Sequence, residues 1–340
     1  MKYLCSVLLF AILFTSLSYG ELYLNSGCAI SFATVEEGGK MLMVHDEFIE
    51  RLSPFDRSSR LKTDREVSEK DYLDFVSQNV ISWKEDEKEK ISSAVKLIEP
   101  RLGRFSFAFP ETIYFIKTTG KEEGNAAYTR GSNIILPEGQ LAVDAPELAK
   151  LVCHELFHVL SRRNPQLFGQ LYQAIGFEKC NEIKLPDTLA AKKITNPDAP
   201  GLDCRIRVRN DNAQVWAVPV LLSRSEKYDP AQGGEFFNYM QFKLLAVQQV
   251  ADSKDFEIMS KDGKPVFLDV RQVSGYFEQI GNNTGYIIHP EEILADNLVL
   301  LVFENKDIPS PDILEKIYRV IVKNNVISAD PNTPADKTTK

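Results

Sequence analysis

One stretch constrains this chain more than any other. Residues 147–163 carry Leu148, Leu151, Val152, Leu156, Val159 and Leu160 at spacings that make a helix apolar around most of its circumference. Such a helix must be buried, so the rest of the chain has to surround it. Asp144 supplies an N-cap, Pro146 fits the first turn, and Asn164-Pro165 ends the run. Yet His154, Glu155 and His158 stand in its middle. Imidazoles and a carboxylate enter a core only with partners.

The spacing of the three points to a metal. Residues four apart on a helix share a face, so His154 and His158 can converge on one ion. Glu155 is rotated by about 100° from His154 and reaches a water beside the ion rather than the ion itself. Imidazole is a common zinc ligand, and zinc lowers the pKa of a bound water to about 7. Glu155 is then placed to act as general base. The chain has only 4 histidines, so a chance pair with this spacing and an intervening glutamate is uncommon.

A third ligand is expected far downstream, in Tyr286-Ile287-Ile288-His289-Pro290-Glu291-Glu292-Ile293-Leu294-Ala295-Asp296. Pro290 fits the first position of a helix with His289 at its cap. Glu292 and Asp296 share a face. Glu292 can bind the ion while Asp296 accepts the Nδ1 hydrogen of a ligating histidine. Glu291 reads as a helix-N-terminal carboxylate favoured by the dipole. Tyr286 and His289, just before that helix, are candidates for donating to a developing oxyanion, with core and helix-cap roles as their alternatives.

His154-Glu155-x-x-His158 followed by Glu292-x-x-x-Asp296 resembles the gluzincin class of zinc metallopeptidases. The resemblance covers about 112–165 and 285–300 and places the chain in no particular family. It implies an α+β zincin-like core with one zinc per chain, Glu292 as third ligand and Asp296 behind a histidine. It also implies that Asn125, Ala126, Ala127 and Tyr128 form an edge strand on which a peptide substrate lies by backbone pairing. The stretch between the two motifs is longer than in compact members of the class.

The remainder sets the frame. With 340 residues, 44% of them hydrophobic, the chain can bury a sizeable core. A net charge of −8 and a pI near 5.3 argue against nucleic-acid binding. Lys2, the apolar run Leu4–Phe14 and Ser18-Tyr19-Gly20 read as a signal peptide over 1–20, hence a secreted or periplasmic protein with no membrane span after its removal. Residues 21–110 read as a helical layer. Residues 111–325 read as the catalytic domain, with an antiparallel β-rich insertion at about 205–280 that includes a β-type run from Val273 to Ile280. The segment 326–340 reads as a disordered tail. Of the cysteines, Cys180 and Cys204 are the favoured disulfide pair, and Cys153 a buried thiol. Asn282-Asn283-Thr284 is a formal glycosylation sequon.

The function this favours is zinc-dependent hydrolysis of peptide bonds. A zinc hydrolase of other substrates and a zinc-keeping protein without catalysis are the alternatives. Glu155 counts against the last, since a purely structural site does not need it.

Overall fold

The computed structural model describes residues 22–24, 27–211 and 213–328. The signal-peptide reading and all of the tail beyond Ser328 lie outside them. No helix among the described residues is long and apolar enough to cross a membrane.

The apolar run at 112–116 becomes the middle of a five-stranded sheet. Strands β1 (Leu22–Leu24), β2 (Cys28–Phe32), β3 (Thr112–Thr118), β4 (Tyr128–Arg130) and β5 (Asn133–Pro137) lie in the order β1-β2-β3-β5-β4. The three central strands are parallel, and β1 and β4 are antiparallel edges. Alternate side chains serve two cores, as the two-residue period of a strand dictates. Ile113, Phe115, Ile134 and Leu136 enter the larger core, beside residues of α5 (Glu85–Leu102) and α6 (Ala145–Arg163). Ile116 and Ile135 enter a second core with Leu42, Phe48, Ile49, Tyr72 and Val76. These come from helices α1 (Val35–Leu42), α2 (Glu47–Arg51) and α4 (Glu69–Gln78); α3 (Pro54–Arg60) follows α2. Burial on both faces explains why β3 and β5 read as apolar runs without alternation.

The N-terminal region is therefore not the purely helical layer expected for 21–110. Leu22–Leu24 and Cys28–Phe32 are strands of the same sheet as β3. They are short, and β2 pairs with a strand far along the chain, so no local pattern announces them.

A second, antiparallel sheet follows α7 (Pro165–Ala174). It comprises β6 (Phe177–Lys179), β7 (Cys204–Asn210), β8 (Ala213–Ser223), β9 (Met240–Gln249) and β10 (Phe256–Ile258), in the order β10-β9-β8-β7-β6. Helix α8 (Asp187–Ala190) lies between β6 and β7. Beyond β10, β11 (Ser260–Lys261) pairs with β12 (Lys264–Pro265), and β13 (Phe267–Leu268) joins β9. This sheet begins at β6, before the expected boundary of 205. The run 273–280, expected as strand, is a single bridge at Ser274 followed by the short helix α9 (Phe277–Ile280). Helices α10 (Pro290–Val302) and α11 (Pro311–Ser328) close the chain, so residues 326–328 are helical rather than tail.

Cys180 and Cys204 do not pair; all four described cysteines are free thiols. The register gives the reason. Cys204 stands opposite Lys179, and the backbone of Cys180 bonds that of Asp203. Successive side chains leave opposite faces of a strand. Cys204 accordingly lies in the larger core and Cys180 against the core on the other face. Cys153 is buried, as expected.

Candidate metal centre

Helix α6 is capped as its sequence dictates. Asp144 accepts from the Glu147 amide at 3.0 Å, a contact worth about 1 kcal/mol. The apolar residues fix its rotation in the core, which turns His154, Glu155 and His158 toward α10. Helix α10 begins at Pro290 with His289 as N-cap, whose Nδ1 accepts the Glu291 amide at 3.1 Å.

These two helices bring together residues 138 positions apart. Glu292 Oε2 lies 3.1 Å from His154 Nε2 and 3.6 Å from His158 Nε2. A tetrahedral zinc with bonds of about 2.0–2.1 Å holds its ligand atoms roughly 3.3 Å apart, and the two distances bracket that value. The His158 Nε2 and Glu155 Oε2 atoms are buried with no hydrogen-bond partner. Leaving such atoms unmatched costs about 1–3 kcal/mol each, and a cation with its water resolves both. The same need shows in the histidines: against the cost of burial, the Asp296 and Glu292 carboxylates push His154 up to about 10. His154, His158 and Glu292 thus fit a metal by donor type, spacing and unmet polarity.

Each histidine is oriented by its own carboxylate. His154 Nδ1 contacts Asp296 Oδ1 at 2.9 Å, and Asp296 is in turn held by the Thr284 hydroxyl. His158 Nδ1 contacts Glu291 Oε1 at 3.2 Å, with Ser161 and Tyr172 donating to that carboxylate. Reading Glu291 as a dipole-favoured carboxylate alone was therefore incomplete, because it fixes the tautomer and direction of a histidine. Glu292 is steadied by Asn196, which donates to Oε1 at 2.5 Å.

The groups open onto a cleft of about 510 Å³ lined by Ala126, Ala127, His154, Glu155, Tyr286 and Asp296, among others. Glu155 is buried at its floor, and burial with the Asp198 carboxylate nearby pushes its acid up to about 8. Tyr286 stands at the mouth, half exposed, its ring stacked 6.2 Å from that of His154.

Two expectations change. His289 does not face this cleft. It caps α10 and borders a separate cavity with Tyr172, Lys179 and Asp203, and burial lowers its pKa to about 4. Of the four residues expected along the edge strand, only Ala126 and Ala127 line the cleft. Asn125 closes a tight turn with φ +65, its amide bonded to the Gly120 carbonyl at 2.7 Å and its own carbonyl to Gln140. Tyr128 is buried with the second core.

Sequence reasoning missed Asp198. A ligand atom of Asp198 lies within 4.8 Å of those of Glu155 and His158. It arrives on the polar segment between β6 and β7, where nothing local distinguishes it from a surface residue.

Two buried ion pairs hold that segment in place. Arg60 contacts Asp56 and makes a bidentate contact to Glu123. Asp56 accepts from the Thr195 amide and hydroxyl. One charged cluster thereby ties α3 to the loop before β4 and to the approach to Asp198.

A family model described as the eCIS core domain matches residues 118–166. No curated protein and no solved structure matches the chain. The matched segment takes in β4, β5 and α6, and so both histidines and Glu155, but not Glu292. It covers too little of the chain to assign it to that family.

Proposed function

We propose that this protein is a zinc-dependent metallopeptidase of gluzincin type, with His154, His158 and Glu292 holding one zinc ion. The observation that carries the reading is the convergence of two histidine Nε2 atoms and one carboxylate from separate helices, beside a buried carboxylate with an unpartnered oxygen. Glu155 is what a purely structural site would not need.

Bound there, zinc would supply Lewis acidity toward a water and a substrate carbonyl. Glu155 takes a proton as the water's oxygen adds to the carbonyl carbon. It delivers that proton to the nitrogen as the C–N bond breaks, so the products are a carboxylate and an amine. A carboxylate buried and raised toward neutrality suits both halves of that exchange. Tyr286, beside His154 at the mouth, is placed to donate to the oxygen on which charge develops. Asp296 and Glu291 keep each imidazole's Nε2 lone pair aimed at the ion. Ala126 and Ala127 offer backbone for a peptide to lie against. Export to the periplasm or outside the cell belongs to the same proposal, on the strength of residues 1–20.

The test is metal analysis joined to turnover. Protein purified from zinc-replete buffer should carry about one zinc per chain and cleave unstructured peptides. Glu155→Gln should keep the zinc and lose turnover. A chain that comes out empty of metal overturns the proposal.

A further inference from the structure

An edge strand with one neighbour ordinarily shows its outer side to solvent. Here it does not. Tyr128, Thr129 and Arg130 are only 2%, 0% and 4% exposed. The loop at 196–199 lies along them, and Asp198 Oδ1 accepts from the Thr129 amide at 2.9 Å and from its hydroxyl. That amide is the group a substrate backbone would use. At the other end, the Asn125 amide and carbonyl and the Ala126 amide are already bonded. Among the described residues, what stays open is the Ala126 carbonyl and the Ala127 backbone. An edge this short pairs with one or two substrate residues, and it is closed at Asp198, which occupies the Thr129 amide.

The closed end carries a negative charge. Asp198 Oδ2 has no hydrogen bond among the described residues, and Asp198 lines the metal cleft. Arg162 is also near: its Nη2 lies 3.7 Å from Asp198 Oδ1, and the guanidinium otherwise donates to the Thr129 hydroxyl and to the carbonyls of Gly131, His158, Pro197 and Asp198, which leaves Asp198 Oδ2 open. It does not line the cleft, so it cannot serve a substrate carboxylate there. The cleft presents Glu147, Glu155, Asp198, Glu292 and Asp296 against Lys150, which pairs with Glu147. With one divalent ion, and with Arg162 counted against Asp198, that set is still net negative, which favours a substrate cation.

Distance chooses which cation. The α-nitrogen of a residue is two bonds, about 2.5 Å, from its own carbonyl carbon. If that carbonyl is at the metal, its α-ammonium falls within reach of a carboxylate that lies within 4.8 Å of Glu155 and of the ligand His158, as Asp198 does. The ammonium of a lysine side chain would lie several ångströms farther. The same four residues, Ala126, Ala127, Asp198 and Tyr286, also border a second cavity of about 300 Å³ walled by Ile194, Leu221, Phe236, Phe237, Met240 and Ile288. Apart from Asp198 its lining holds one acid, Glu123, which is paired with Arg60.

Resting on the peptidase reading, we propose that the site is an exopeptidase site for peptides with a free N-terminus and an apolar first residue. Asp198 binds the α-ammonium and the apolar cavity takes the side chain.

The probes are leucine 4-nitroanilide, its N-acetyl form and N-acetyl-lysine 4-nitroanilide, with leucine hydroxamate and N-acetyl-leucine hydroxamate as ligands of the cobalt-substituted protein. The free leucine anilide should be cut about a hundredfold faster than its acetylated form, as expected for losing one partner of a desolvated charge pair. Leucine hydroxamate should shift the cobalt absorption bands at concentrations about a hundredfold lower than its acetylated form. Asp198→Asn, which can still accept from Thr129, should bind cobalt normally and abolish both preferences. Equal handling of free and acetylated leucine overturns the proposal, and so does cleavage of N-acetyl-lysine anilide in preference to N-acetyl-leucine anilide. The hydroxamate arm reads the ammonium site without turnover. A protein that binds cobalt and prefers the free hydroxamate but cuts nothing would sink the peptidase reading and keep Asp198 as an ammonium site.

Discussion

Two clusters of ligand-type side chains lie on either side of the start of α10, and they differ in what they lack. His154, His158 and Glu292 converge, and His158 Nε2 and the neighbouring Glu155 Oε2 are buried with no partner. Asp203, Cys204 and His289 also come within ligand distance of one another, but their needs are met. Lys179 sits 3.0 Å from both Asp203 oxygens. His289 Nδ1 already accepts the Glu291 amide, so its neutral form carries the hydrogen on Nε2 and has no lone pair left to offer. Cys204 is buried where its thiol is held well above its ordinary pKa, and a thiol binds metal as thiolate. Residue type and proximity do not make a metal site. An unsatisfied set of lone pairs around one point does.

The largest effect should come from breaking the first cluster. Glu292→Ala removes the one acidic ligand and should weaken zinc binding by more than the 10–100-fold that loss of an outer partner costs, read by chelator competition. Asp203→Asn, in the second cluster, should leave zinc stoichiometry unchanged. If Asp203→Asn lost the metal instead, the contrast between the clusters would be reversed.

Next in size is the base. Glu155→Gln should keep the zinc and lower kcat by about 10²–10⁴, the usual worth of a positioned proton carrier. Retention of full turnover would remove Glu155 from the reaction.

A smaller effect separates the two acidic neighbours on α10. Glu291→Gln keeps a hydrogen-bond acceptor for His158 Nδ1 but removes the charge, and should weaken zinc by about tenfold. Sequence alone gave Glu291 no part in the centre. Successive helical residues diverge by about 100°, so one of the two was expected to turn away. Both are used because the histidine they serve has two nitrogens: Glu292 faces Nε2 and Glu291 faces Nδ1. Zinc binding unaffected by Glu291→Gln would return that residue to a plain structural role.

What was legible followed from local periodicity. The α6 motif, its caps and the start of α10 all sit in patterns of 3.6 residues with terminal signals nearby. Ala126 and Ala127 were reachable by resemblance. Asp198, Asn196 and Thr284 were not, because each acts from a loop whose position is set by tertiary ties such as the Arg60–Asp56–Thr195 contacts. The same limit hid β1 and β2, whose partner strand is remote. The expected disulfide failed on an alternation rule that applies only once the register of β6 and β7 is known.

The comparison is sharpest at Glu122, in the loop before β4. Both its oxygens are buried without a hydrogen-bond partner, where Glu155 has one such oxygen, yet Glu122 belongs to no cluster of ligand-type side chains among the described residues. Burial without an ion should be resolved by a proton. Desolvation raises Glu122 from 4.5 to about 7. A carboxyl whose folded pKa is raised stabilises fully below its unfolded value, near pH 4.5. That contribution is lost as pH rises and is gone above about pH 7. The shift corresponds to about 3 kcal/mol. Glu122→Gln should therefore flatten the fall in denaturant-measured stability between pH 5 and 8, and be the more stable protein at pH 8. If the two proteins fall in parallel across that range, Glu122 ionises in place, and an unpartnered buried carboxylate does not by itself mark where this chain needs a cation.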